Sequence, residues 1–212
     1  MKKLLATLLA ASLALIGTQA FAQMSVNAGY LNTSSRNSNA SNPSNYNGFY
    51  AGVTYNIPIV AGLCVAPGVY YSMIGGKETS SGSLGGLISG SNTTTFTEHA
   101  INGAINLNYG FQVARDMRAF VFAGPTLQYG ISSKIKSKTD VGGIVSGSSN
   151  STYDLYENTL KPLNIFIGGG IGMEVANFQV TVGYDYGLMN ISKNTNTTIN
   201  RSGLKLGVGF LF

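Results

Sequence analysis

The chain has 212 residues and a formal net charge of +5, with 10% charged and 10% aromatic residues, 28 Gly, 12 Tyr, 10 Phe and no Trp. This composition disfavours long helices, and the single cysteine excludes an internal disulfide. The densest basic group, Lys134, Lys136 and Lys138, lies in a Ser-rich stretch without interleaved aromatics, so no nucleic-acid partner is expected.

The first predicted element is a secretory signal peptide over residues 1–22. Lys2 and Lys3 precede an apolar run from Leu4 to Ile16, and Ala20-Phe21-Ala22 supplies small residues at a cleavage site before Gln23. The run is shorter than the roughly 20 residues that cross a bilayer. The only cysteine, Cys64, is far from this site, so a lipoprotein is not expected. No later stretch is long and apolar enough for a transmembrane helix, so a membrane location requires a closed barrel.

From residue 23 the period-2 pattern predicts eight strands. They are Ser25–Leu31, Gly48–Ile57, Leu63–Ile74, Thr97–Phe111, Arg118–Ile131, Lys161–Val175, Phe178–Met189 and Arg201–Phe212. The second sets Phe49, Ala51, Val53, Tyr55 and Ile57 against Tyr50, Gly52, Thr54 and Asn56. In the fourth, Ile101, Ile105, Leu107, Tyr109 and Phe111 oppose Asn102, Ala104, Asn106, Asn108 and Gly110. The fifth has less distinct faces, since Phe120 and Phe122 point inward near one rim. The last alternates Leu204, Leu206, Val208, Phe210 and Phe212 with Lys205, Gly207 and Gly209.

Connections after strands two, four and six are short (58–62, 112–117, 176–177), and those after one, three, five and seven are long (32–47, 75–95, 132–160, 190–200). This alternation, with one apolar face of Tyr, Phe, Ile and Leu and one face of Gly, Asn, Ala, Thr and Gln, predicts an all-β fold. Its architecture is an eight-stranded antiparallel up-and-down transmembrane β-barrel over residues 23–212. Eight strands enclose an interior that their own side chains can fill. Phe49, Phe111, Tyr129, Phe178, Tyr186 and Phe212 fall near strand ends, where interfacial girdles form. The Gly-Gly pairs at 75–76, 85–86 and 142–143 are expected in loops.

The signal peptide, the eight alternating strands, the loop asymmetry and the terminal Phe212 resemble the small outer-membrane barrels of the OmpX and OmpA membrane-domain type. The resemblance implies residence in the outer membrane, with termini in the periplasm, long loops outside, and partners comprising outer-membrane lipid, lipopolysaccharide and the barrel-insertion machinery. Phe210 and Phe212 would then form the insertion signal. No domain follows the last strand, unlike the OmpA pattern, so peptidoglycan anchoring is not expected. Contact with anionic lipopolysaccharide accounts for the loop charge.

Candidate chemistry is sparse. His99 has lipid-facing parity, and Ile101 stands where the lipid A deacylases carry the Ser of their His-x-Ser pair, so no catalytic residue is expected. Glu98 reads as an interior polar residue. One His, one Cys and scattered carboxylates give no metal-ligand spacing and no cofactor site. A structural network inside the barrel is expected from Asp185, Lys205, Glu174, Gln179, Asn102, Asn106 and Gln128. Asp185 and Lys205, each ten positions from Thr195, should face each other as a salt bridge, and Glu174 and Gln179 should close the periplasmic end. Ile135 continues the outward parity of strand five, and Tyr153 and Leu155 that of strand six, suggesting an extended hairpin whose edge adds a partner strand from an extracellular ligand or host surface. The expected function is non-enzymatic; a narrow pore and a lipid A- or phospholipid-modifying enzyme are the alternatives.

Overall fold

A computed structural model describes residues 23–40, 42–84, 88–143 and 147–212; residues 1–22, where a signal peptide is expected, and Gly85–Gly86 lie outside them. Among the described residues nine strands form: β1 (Gln23–Asn37), β2 (Ser44–Val60), β3 (Leu63–Leu84), β4 (Ile88–Ala114), β5 (Met117–Gly143), β6 (Gly147–Asp154), β7 (Leu163–Val175), β8 (Phe178–Gly187) and β9 (Ile199–Leu211). A single helical turn, α1 (Leu155–Asn158), links β6 to β7.

All pairings are antiparallel, and β1 pairs β9 while β4 pairs β5, which closes β1, β2, β3, β4, β5, β7, β8 and β9 into a ring of eight. Closure removes the free edges from the ring, the condition for strands to cross lipid. No helix among the described residues is long and apolar enough to do so. At one rim the turns shrink to residues 61–62, 115–116 and 176–177. Two of these use the left-handed region, at Gly62 (φ 80°) and Ala176 (φ 52°).

At the other rim, segments expected to be loops are strand. β3 and β4 pair from Gly75↔Thr97 up to Leu84↔Ile88, so residues 75–95 are mostly ladder. Likewise β5 runs on to Gly143, pairing β4 on one side and β6 on the other. Ser, Thr and Gly suit an exposed two-sided sheet as well as a loop, and the alternation of apolar residues that marks the membrane strands vanishes there. Gly75–Gly76 and Gly142–Gly143 therefore lie in strands. The result is a four-stranded sheet of upper β3, β4, β5 and β6 standing above the ring.

A bulge sets the facing of that sheet. Ala100 pairs Gly130 while His99 pairs Ser132, leaving Ile131 as the extra residue on β5. Beyond it the parity of β5 flips, so Ser133 is buried and Ile135 packs on the interior cluster, whereas Lys134 is exposed. The expectation that Ile135 points outward is thus corrected. Tyr153, opposite Ile135 in the ladder, shares its face, and Leu155 leaves the strand altogether, turning with α1 onto the same cluster.

The barrel is inside out relative to a soluble protein. Ile105, Leu107, Val121, Leu127, Ile171, Val180 and Val208 are all half exposed or nearly so on the outer surface, as are the six girdle aromatics. The inward face carries Ser25, Asn27, Thr54, Ser72, Thr126 and Asn164, all buried.

Candidate functional site: the barrel interior

Inward side chains stack in three tiers between the rims. At the long-loop end, Glu98 of β4 meets Arg201 of β9, with Arg201 Nη1 donating to Glu98 Oε1 at 2.5 Å. Glu98 is 1% exposed and Arg201 5%. Ser133 Oγ donates to the other carboxylate oxygen at 3.3 Å. The Tyr156 phenol also bonds Glu98, and burial, followed by the charge of Glu98, pushes its pKa far above the ordinary value, so it stays a donor. Asp154 caps α1 by accepting from Tyr156 N at 2.9 Å, and Lys193 Nζ holds the backbone oxygens of Tyr156 and Glu157 at 2.6 and 2.8 Å. The segment carrying Lys193 is anchored by buried Ile191 and by a bridge between Leu160 and Ser192. Beside the ion pair, Leu31, Ile74 and Phe96 form an apolar layer with Tyr46, Tyr50, Ile135 and Leu155.

The middle tier holds the Lys205–Asp185 ion pair. The two residues do not oppose each other: Asp185 pairs Gly203 and Lys205 pairs Gly183, so the bridge runs diagonally across the β8–β9 ladder. The expected register was off because the connection is centred on residue 194 rather than on Thr195. Tyr50 and Tyr70 meet edge-on at 5.8 Å, and Tyr70 Oη lies 2.5 Å from Thr54 Oγ1. Asn102 Nδ2 donates to Ser72 Oγ at 2.8 Å, and Gln128 Nε2 donates to Asn102 Oδ1 at 3.2 Å. Asn106 lines the same space.

At the short-turn end Arg118 and Glu174 meet at 3.0 Å, with Arg118 stacked over Phe120. Gln179 donates to Asn27, which donates in turn to Thr54 Oγ1 at 3.1 Å. Buried Cys64 and Leu211 complete this tier. Of the expected residues, Glu174 and Gln179 therefore lie at this end but in separate contacts.

Glycine makes room for these large inward groups. A Cβ at Gly172 would strike the Phe120 ring, one at Gly170 the Phe122 ring at 2.6 Å, and one at Gly130 the Tyr156 hydroxyl. What remains is a lumen cavity of about 140 Å³ running from Asn27 and Gln179 to Arg201. Arg201 Nε and Asn164 Nδ2 are buried without a protein partner.

His99 and the interior carboxylates lie on opposite sides of the barrel wall. The His99 side chain is on the outer face, with Nδ1 2.6 Å from Tyr71 Oη, while the carboxylates of Glu98, Asp185 and Glu174 are inside. Among the described residues no three His, Cys, Asp or Glu side chains cluster as metal ligands.

An apolar belt outside, a polar interior and a closed ring define a membrane-spanning β-barrel. Residues 18–193 match the family model of the outer membrane protein beta-barrel domain. The chain belongs to this family and resides in the cell outer membrane. It is similar in structure to Neisserial surface protein A (19% identity, 89% of this chain and 97% of that one, TM-score 0.48). It is also similar to the attachment invasion locus protein Ail of Yersinia pestis, solved with the heparin analogue sucrose octasulfate (15% identity, 90% and 99%, TM-score 0.45). A third similar structure is the N-terminal beta-barrel domain of Pseudomonas aeruginosa OprF (16% identity, 90% and 99%, TM-score 0.34). No curated protein sequence matches the chain significantly.

Proposed function

We propose that the protein is a non-enzymatic barrel whose interior is plugged by its own side chains and whose long-loop end, facing the cell exterior, serves surface interaction or envelope integrity. The observation that carries this reading is the three-tier filling of the lumen, capped at one end by the Glu98–Arg201–Tyr156 group beneath α1 and at the other by Arg118–Glu174. Residues 1–22 act as a cleaved signal peptide, the insertion machinery reads Phe210 and Phe212, and the short turns lie in the periplasm. The sheet of upper β3 to β6, with the open edge of β6, supplies the surface on which an extracellular partner strand adds.

A thiol label tests the orientation: in a Cys64→Ser background, Ser149→Cys reacts with a membrane-impermeant reagent on intact cells, and protection until the cells are lysed would reverse the topology. Deleting residues 138–150 then tests the surface role, because the cut spares Ser133, Ile135, Leu155 and Tyr156, which belong to the plug. Attachment of expressing cells to epithelial monolayers is expected to fall; unchanged attachment and unchanged detergent sensitivity would remove that role.

The narrow-pore alternative rests on the lumen cavity, which spans all three tiers.

A further inference from the structure

The sheet that stands above the ring ends in two open edges. Pairing of β2 with β3 stops at Asn47↔Gly75, so upper β3 is held by β4 on one side only. At the opposite margin β6 pairs β5 alone among the described residues. Open edges recruit further strands, and natural proteins blunt them with charge, proline or bulges. The β3 edge is blunted in this way by Lys77 and Glu78, both exposed. The β6 edge is not. From Ser148 to Tyr153 it carries no charge and no proline, its ladder with β5 runs in one unbroken register, and Tyr153 stands 63% exposed beside it.

An uncharged edge of this kind accepts a copy of itself. Two β6 strands related by a twofold axis perpendicular to the sheet pair antiparallel, the arrangement used throughout this sheet, and the contact closes on itself without leading to fibres. With Ser151 on the axis, Asn150 faces Thr152, Ser149 faces Tyr153, and the one charge on the strand, Asp154, faces Ser148, so no like charges meet. Residues 148–154 of each copy then enter the ladder, about 23 Å of strand. Symmetry fixes where the second copy stands. The axis lies across upright strands, so it inverts the partner barrel and sets it in a facing membrane. Rotation about the membrane normal, which relates two copies in one membrane, makes strands tilted by about 35–45° cross at about 70–90° instead of pairing.

We infer that the β6 edge joins two copies of this protein across facing cells, fusing their projecting sheets into one. The inference rests on the outward placement of the long-loop end proposed above.

The test mixes two populations of expressing cells, each with its own fluorescent marker, and counts two-colour clumps. Clumps should form when both populations express the barrel and fall to background when one does not. Asn150→Lys with Thr152→Lys in both populations sets lysines against each other across the axis and should cut the clumps by about tenfold. Mixing that population with one carrying Asn150→Asp and Thr152→Asp should restore them. Thr79→Lys with Ser80→Lys, which adds the same charge at the β3 edge, should leave clumping at the wild-type level. Clumping that needs only one expressing population would overturn the inference while leaving the surface-interaction reading in place. Lysine populations that clump like wild type, or lysine and aspartate populations that fail to join while both stay folded on semi-native gels, would overturn it too. A Ser149 label protected until lysis would instead remove the orientation on which both rest.

Discussion

Removing Arg201 strands the Glu98 carboxylate where only 1% of it reaches solvent. A buried charge that loses its partner costs about 3–5 kcal/mol, so Arg201→Met should lower the urea midpoint of the refolded barrel strongly. Adding Glu98→Gln to that variant should recover part of the loss; an additive double variant would show that the pair is not coupled. The Lys205 side chain is 34% exposed to the lumen, so screening reduces its bond to Asp185 to about 1 kcal/mol, and Lys205→Met should be the milder change on the same assay. Gly172→Val drives side-chain atoms into the Phe120 ring, and overpacking of this kind costs about 1–3 kcal/mol; trimming Phe120 to Ala in the same chain should relieve it. Parity made Glu98, Asp185 and Lys205 legible as inward residues. It did not reveal that Glu98 would meet Arg201, because β4 and β9 are not ladder neighbours and contacts across a lumen leave no periodic trace.

At the scale of the element, one inserted residue decides which chemistry faces which side. Deleting Ile131 restores an unbroken register with β4 and leaves Ser132 opposite His99 and Ser133 opposite Glu98, so the facing of the strand above the rim is kept. The variant should keep its protease resistance across residues 132–158; loss of that resistance would show that the bulge shapes the upper sheet beyond setting its facing. The strands crossing the membrane could be read from the sequence because lipid on one side and a narrow lumen on the other impose strict alternation. Above the rim both faces meet water, the alternation lapses, and Ser, Thr and Lys in β3 to β6 resemble loop composition. That is why residues 75–95 and 132–160 were expected as loops and why Ile135 and Leu155 were given the wrong facing.

The whole molecule is a polar cylinder lined with tyrosines, amides and ion pairs and sheathed in aliphatic side chains. Its ring order and closure follow from strand period and connection length, because tight turns alternating with long connections suit an up-and-down barrel. Ile105, 58% exposed near the middle of the belt on β4, should tolerate Arg worst, at about 2–4 kcal/mol, while Val113 near the short-turn rim should accept it for less than about 1 kcal/mol; refolding into bilayers of neutral lipid compares them. The central claim is that the lumen is closed at both ends, by Glu98, Arg201 and Tyr156 above and by Arg118 and Glu174 below. Single-channel recording of the refolded barrel in a planar bilayer addresses it most directly. A flat current at membrane potentials up to the stability limit of the bilayer is the predicted result, and discrete, reproducible conductance steps from the wild-type chain would contradict it.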